Sequence, residues 1–156
     1  DIEQCAVERL SNFRVDLDNE DATVLHSPEK ETDQNYLPYI GNGVFGVQIY
    51  PEGHLYIRQG RTLSLNARWD PLVSVPMPYD SVHHLATLTH FTNGIVYKYQ
   101  CLRPGYHVDT QYYAHRVFDG ILVEDITIFN PTNAAVEVPL RLNSVPHWTD
   151  HETKSV

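Results

Sequence analysis

The stretch Leu85-Ala86-Thr87-Leu88-Thr89-His90-Phe91-Thr92-Asn93-Gly94-Ile95-Val96-Tyr97-Lys98-Tyr99-Gln100-Cys101 decides the fold. It reads as two strands around a turn. Asn93-Gly94 separates Val82–Thr92 from Ile95–Leu102, and that dipeptide supplies the left-handed backbone angles of a type I′ hairpin turn. Asp119-Gly120 repeats the signal between His107–Phe118 and Ile121–Phe129, and Pro104-Gly105 punctuates the junction of the two hairpins. Upstream, Phe45, Val47 and Ile49 alternate with Gly46, Gln48 and Tyr50. Beyond a turn at Glu52-Gly53, Leu55 and Ile57 alternate with His54, Tyr56 and Arg58, and Leu63 and Leu65 follow in a short third strand. Downstream, Val136, Val138, Leu140 and Leu142 give the cleanest alternation, opposite Glu137 and Arg141. A period of two puts successive side chains on opposite faces, so each pattern is a half-buried strand.

The chain opens differently. Ile2, Cys5, Ala6, Leu10 and Phe13 recur at three-to-four spacing, which predicts an amphipathic helix over 2–14. Residues 15–35 are acidic and polar and read as a surface connection, with one short strand around Thr23–Leu25. The segment Asp70–Asp80 carries Pro71, Pro76 and Pro78 and fits a loop or an edge strand. The sum is eight to ten antiparallel strands and one leading helix. Such a chain is mainly β and closes into two packed sheets, an antiparallel β-sandwich with a short N-terminal helix. The expected organisation is a helix and acidic connection at 1–35, the sandwich at 36–145, and a polar tail at 146–156 that continues into a longer chain.

Composition narrows the function. The 156 residues fit one domain. Lys plus Arg is 11 against 20 Asp plus Glu, so the net charge of −9 repels phosphate backbones and argues against nucleic acid as a partner. Mean hydropathy is −0.36, and no apolar run approaches the ~18–20 residues of a membrane span. The two cysteines, Cys5 and Cys101, allow one bridge at most; they are either that bridge or two separate buried thiols. Residue 1 is Asp with no basic-then-apolar start, so the numbering is expected to begin inside a longer chain or after processing. Asn130-Pro131-Thr132 has the outline of a glycosylation sequon, but its central proline disqualifies it.

Gly41-Asn42-Gly43-Val44-Phe45-Gly46 matches G-x-G-x-x-G. A dinucleotide fold needs a helix after that motif and an acidic residue about 20 positions on. Here a strand follows, and Gly60-Arg61-Thr62 occupies the acidic position, so Gly41, Gly43 and Gly46 read as structural glycines of a tight turn. Asn93, Gly94, Asp119 and Gly120 are structural in the same sense. His147 and His151 stand four apart beside Asp150 and Glu152, yet two ligands after Pro146 do not make a metal site. His84 and His90 share a strand face but lie about 20 Å apart, too far to hold one ion. No metal and no cofactor is expected.

His107, Asp109, Gln111, Tyr113 and His115 share one parity and form a polar strand face, either a ligand groove or a wet surface. Tyr56, Tyr97, Tyr99, Tyr112 and Tyr113, with Trp69, supply flat amphipathic rings on which sugars stack, or which pack across strands. The ligand-binding candidates are therefore Tyr56, Trp69, Tyr97, Tyr99, His107, Asp109 and Tyr113. No Ser sits in a G-x-S-x-G elbow, and no carboxylate pair is fixed by spacing, so no catalytic residue is assigned.

Tyr39–Gly46, Gly60–Leu65, Gly94–Arg103 and His115–Asn130 resemble the N-terminal domain of the glycoside hydrolase family of maltose and trehalose phosphorylases and acid trehalases. In that family a Gly-Asn-Gly segment opens a large, supersandwich-like β-domain beside a helical barrel. Tyr36–Gly46, Leu55–Leu65, Val82–Gly105 and Val123–Thr132 bear a closer resemblance to a metazoan family of uncharacterised type I single-pass membrane proteins. The likeness covers roughly residues 36–145. It implies a sandwich in the lumen of the secretory pathway or on the extracellular side, as part of a membrane-anchored protein. It carries no activity, because the hydrolase carboxylate belongs to the barrel. The expected function is a non-catalytic scaffold or interaction module whose partner is another protein or the rest of the parent chain. The alternative is a carbohydrate-binding module, or the sandwich half of a carbohydrate-active enzyme, with a glycan as ligand.

Overall fold

The computed structural model describes residues 2–27, 30–31, 33, 36–50, 53–77, 83–103 and 105–143, with backbone alone at 62–65. Glu52, Pro78, Asp80, Val82 and Pro104, and the tail with His147 and His151, lie outside the described residues. Along the chain, α1 (Ile2–Leu10), a 3-10 turn (Ser11–Phe13) and α2 (Arg14–Asp18) come first. The described strands are β1 (Ala22–Ser27), β2 (Tyr39–Gly41), β3 (Phe45–Gln48), β4 (Gly53–Gln59), β5 (Thr62–Trp69), β6 (Val73–Ser74), β7 (His84–His90), β8 (Ile95–Cys101), β9 (His107–Ala114), β10 (Leu122–Phe129) and β11 (Arg141–Leu142).

They form a five-stranded sheet in the order β1-β7-β8-β9-β10, a four-stranded sheet β2-β3-β4-β5 and a small pair β11-β6. All neighbours are antiparallel. This is the antiparallel β-sandwich, mainly β with a short N-terminal helix, that the hairpin signals and the leading apolar period require. Register sorts the side chains. Lys98 opposes Thr87 and Thr110, while Tyr99 opposes Ala86 and Asp109. On one face of the large sheet, Val96, Tyr112, Ala114 and Leu122 pack with Ile40, Phe45, Val47, Ile49 and Trp69 of the four-stranded side. On the other face α1 lies over β7 and β8, burying Ala6 beside a sheet in which Ala86 and Leu88 are fully covered. Each large apolar side chain so buried contributes about 1.5–3 kcal/mol.

Several local expectations need correction. The helical segment runs on to Asp18, interrupted by the 3-10 turn, rather than stopping at 14. The stretch 15–35 is more than a connection: β1 is six residues long and pairs fully with β7. The Asn93-Gly94 turn is not type I′. His90 pairs with Ile95 across a four-residue loop, only Gly94 takes a positive φ (68°), and Asn93 Oδ1 instead accepts the Ile95 N–H at 2.9 Å. Asp119-Gly120 likewise sits in a seven-residue loop between Ala114 and Leu122, with Gly120 at no positive φ. An Asn-Gly or Asp-Gly pair signals a turn, but loop length sets its type.

The Val136–Leu142 alternation also resolves differently. Val136 and Val138 are half-buried against Val75, Leu102, Tyr106 and Val108, yet ladder pairing begins only at Arg141–Leu142. Leu140 and Leu142 are exposed. Period two reports one buried face, not a hydrogen-bonded neighbour, and Pro139 has no N–H to donate. The Gly-Asn-Gly segment behaves as expected, as a tight turn into an inner strand. Asn42 Oδ1 accepts the Val44 and Phe45 N–H groups, and a Cβ at Gly41 would meet the Phe45 carbonyl oxygen at 2.8 Å. Asn42 Nδ2 also donates to the Asp119 carbonyl at 2.8 Å, so this turn pins the small sheet to the β9–β10 loop.

Candidate functional site

The interior between the two sheets holds two apolar clusters. One gathers Val96, Tyr112 and Trp69; the other gathers Val75, Leu102, Tyr106 and Val108. Between them runs a polar seam dictated by alternation. Lys98 and Gln100 share the inward parity of Val96 on β8, and Thr110 shares that of Val108 and Tyr112 on β9. Gln100 is 1% exposed and satisfied, its amide donating to the Val75 carbonyl at 3.0 Å and lying against Met77 Sδ. Thr110 is buried. Glu124 enters from β10, accepting the Tyr112 hydroxyl at 3.1 Å on Oε1 and the Val73 N–H at 3.4 Å on Oε2. Burial raises its carboxyl above the ordinary range, against the pull of those hydrogen bonds and of Lys98. Burial lowers the Lys98 ammonium, with Glu124 opposing the shift.

Two openings meet at this seam. A cleft of about 590 Å³ is lined by Leu25, Ile49, Leu85, Thr87, Lys98 and Tyr112, among others. A second of about 340 Å³ is mostly apolar, with Phe45, Ile57, Trp69 and Leu122 on its walls and Glu124 at its edge. Asp70 lines both. Both volumes fall in the range of small-molecule sites, and ionisable groups perturbed by burial inside a cleft mark functional candidates.

The opposite face of the large sheet holds a second polar group, and α1 closes it. Cys5 of α1 is disulfide-bonded to Cys101 of β8, with Cα atoms 6.2 Å apart. One turn on, Arg9 Nη2 lies 2.7 Å from His107 Nε2, and Arg9 Nε lies 3.8 Å from Asp109. A guanidinium only donates, so that imidazole nitrogen accepts and the ring is neutral. Burial likewise lowers the His107 pKa, Asp109 opposing and Arg9 assisting. Burial raises Asp109, with His107 and Arg9 pulling the other way. Phe129 stacks on His107 at 5.1 Å. Toward β1, His26 Nδ1 meets Asp33 at 2.6 Å, and the His84 ring packs edge-on to His26. Burial alone would raise Asp33. The hydrogen bonds from the Lys30 and His26 N–H groups and the His26 ring outweigh it and hold the carboxyl below its usual range.

The seven ligand candidates fall in three places. Tyr97, Tyr99, His107, Asp109 and Tyr113 share the helix-side face. There Tyr97 stacks with Tyr99 at 6.1 Å and meets Phe13 at 4.9 Å. Trp69 lies in the sandwich core, edge-on to Tyr112. Tyr56 sits beside His54 on the other sheet, its centroid 6.0 Å away. His84 and His90 find separate neighbours, His26 at one end of β7 and Asp16 at the other. Among the described residues, no three His, Cys, Asp or Glu side chains are gathered to hold a metal ion. Sequence reasoning passed over Lys98, although it shares a strand parity with Val96, which faces the core. Arg9 and Asp33 carry no such signal, since their partners are distant in the chain or in another element.

The fold and seam define a β-sandwich domain with an inter-sheet cleft. Residues 1–152 match the family described as Uncharacterized conserved protein (DUF2152), and the chain belongs to that family. The match takes in α1, which the resemblance read from the sequence left outside. No curated protein and no solved structure matches the chain. No helix among the described residues is long and apolar enough to cross a membrane.

Proposed function

We propose that this domain is a non-catalytic protein-interaction module, held on the luminal or extracellular side of a larger membrane-anchored protein. The observation that carries the reading is the free side of β10. It is the last strand of the five-stranded sheet, and among the described residues nothing pairs with its outer edge. Ile128 is 41% exposed and Phe129 56% on that strand. An open edge with apolar side chains is a template for strand addition by an extended segment of a partner. With a net charge of −9 on the module, that segment is neutral or basic. The Cys5–Cys101 bridge supports an oxidising compartment. Both cysteines are committed to it, so neither serves as a nucleophile.

The test is retention of a partner from detergent-solubilised microsomal membranes by the immobilised domain. Wild type retains a partner, and Thr127→Lys/Ile128→Lys, which places charge on the edge, releases it. Saturable binding on a glycan array with no retained protein counts against the reading and favours the carbohydrate alternative. In intact microsomes the domain resists added protease until detergent is supplied; digestion without detergent removes the luminal placement.

A further inference from the structure

Lys98 stands at the centre of the large sheet with a charge it does not spend. No other described residue comes within hydrogen-bond or ion-pair distance of its ammonium group. Glu124 acts on it electrostatically, but the Glu124 oxygens are taken by Tyr112 and Val73. Lys98 is half-buried, and its ammonium is not one of the enclosed polar atoms left without a partner, so it reaches solvent through the cleft. A cation on a cleft wall with no partner of its own is open to an anion from outside. The cleft supplies the access, because Lys98 is on its wall.

We infer that the inter-sheet cleft binds a small organic acid, its carboxylate on Lys98 and its apolar body against Leu25, Ile49 and Leu85. Thr87, directly opposite Lys98 on β7 and also on the wall, offers a hydroxyl to the second carboxylate oxygen. The charge count selects a carboxylate over a phosphate. One cation balances one negative charge. The Asn143 amide is already used, donating to the Pro71 carbonyl at 2.6 Å, and so shapes the wall rather than binding. The apolar part follows from Leu25, Leu85 and Ile49, which gain by excluding water.

The experiment titrates the full chain with decanoate, 3-phenylpropionate and glucuronate, and with decan-1-ol as the uncharged control. At least one acid saturates, and Lys98→Met weakens that acid by about tenfold or more while leaving decan-1-ol within about twofold. A second readout needs no variant. The chain has three lysines, Lys30, Lys98 and Lys154, so after reductive ¹³C-methylation each gives its own signal. The Lys98 signal shifts with the same half-saturation as the calorimetric curve, and the Lys30 signal stays still. If no acid saturates, if Lys98→Met binds equally well, or if the Lys98 signal does not move, the assignment is wrong.

Discussion

The two faces of β8 carry the same kind of burden and handle it in opposite ways. Toward α1, the strand presents Tyr97, Tyr99 and Cys101; toward the small sheet it presents Val96, Lys98 and Gln100. On the helix side the ionisable groups gather in pairs, Arg9 with His107 and Asp109 and Asp33 with His26, although Arg9 Nε, His84 Nε2, His90 Nδ1 and Asp109 Oδ1 stay buried without a hydrogen bond. A covalent bond then fixes the helix in place. On the sandwich side Gln100 is satisfied and Lys98 is left open to a cleft. The difference separates polar groups closed in beneath a helix from one that faces a cleft. Unmet hydrogen-bonding capacity sits on the helix side too, and what sets Lys98 apart is its access to the cleft.

Cutting the covalent tie should break this contrast most strongly. The bridge spans 96 residues, and removing a cross-link of that span costs about 4.7 kcal/mol in the chain-entropy picture. Cys5→Ser/Cys101→Ser is expected to lower the urea midpoint by that equivalent and to expose the β7–β8 amides to hydrogen exchange. Unchanged protection would show that α1 is not what covers that face. Next in size, Leu88→Ala on the helix side should cost about 2–5 kcal/mol, because Leu88 is wholly buried and its neighbours are anchored. Thermal melts read both effects.

A matched pair then sharpens the comparison. Arg9→Met removes the donor over His107 and leaves Asp109 without its cation, which should cost about 1–2 kcal/mol. Lys98→Met removes a cation with no contact partner, and replacing a buried charge by an apolar side chain of similar volume is neutral or stabilising by about 1 kcal/mol. Opposite signs in the same melting assay support the division between the two faces. Equal losses would mean that Lys98 is as much a part of the framework as Arg9.

How much of this was readable beforehand differs along the chain. The hairpins about Asn93-Gly94 and Asp119-Gly120 announced themselves through local chemistry, since turn residues and a period of two need only neighbouring residues to be seen. The leading helix was equally local. Turn type was not, because whether Gly120 needs a left-handed φ depends on where pairing resumes across seven residues. Val136–Leu142 misled for a related reason: alternation survives in Val136 and Val138 without any ladder beside them. Site residues were the least legible. Tyr97, Tyr99, His107 and Asp109 were correctly placed on strands, but nothing local says that a helix from the first ten residues lies over them. Lys98 was visible and unremarked, hidden by the ordinary expectation that lysine is wet.

The smallest expected effect concerns pH, and it also divides the faces. Burial lowers the pKa of both His84 and His107 below the usual 6.5. His26 and Lys30 add to the shift at His84 while Glu3 and Asp33 oppose it, and Asp109 opposes it at His107. As pH falls below 6.5 the unfolded chain binds these protons and the folded chain does not, so folding free energy falls with pH from there downward. Glu124 on the sandwich side and Asp109 have raised values and work the other way at lower pH, the folded state taking the proton first. Lys98, lowered by burial, acts only on the alkaline side, where stability rises as pH approaches its ordinary 10.5. Urea titrations at pH 5.5, 6.5 and 7.5, extended upward to pH 10, should therefore show stability falling from 6.5 to 5.5 in wild type. Lys98→Met should keep that slope and lose the alkaline rise. His84→Phe should halve the acid slope without touching the alkaline limb. A wild-type profile that is flat from 6.5 to 5.5 would mean that the helix-side histidines charge freely in the folded protein, and that the face α1 covers is wetter than its packing implies.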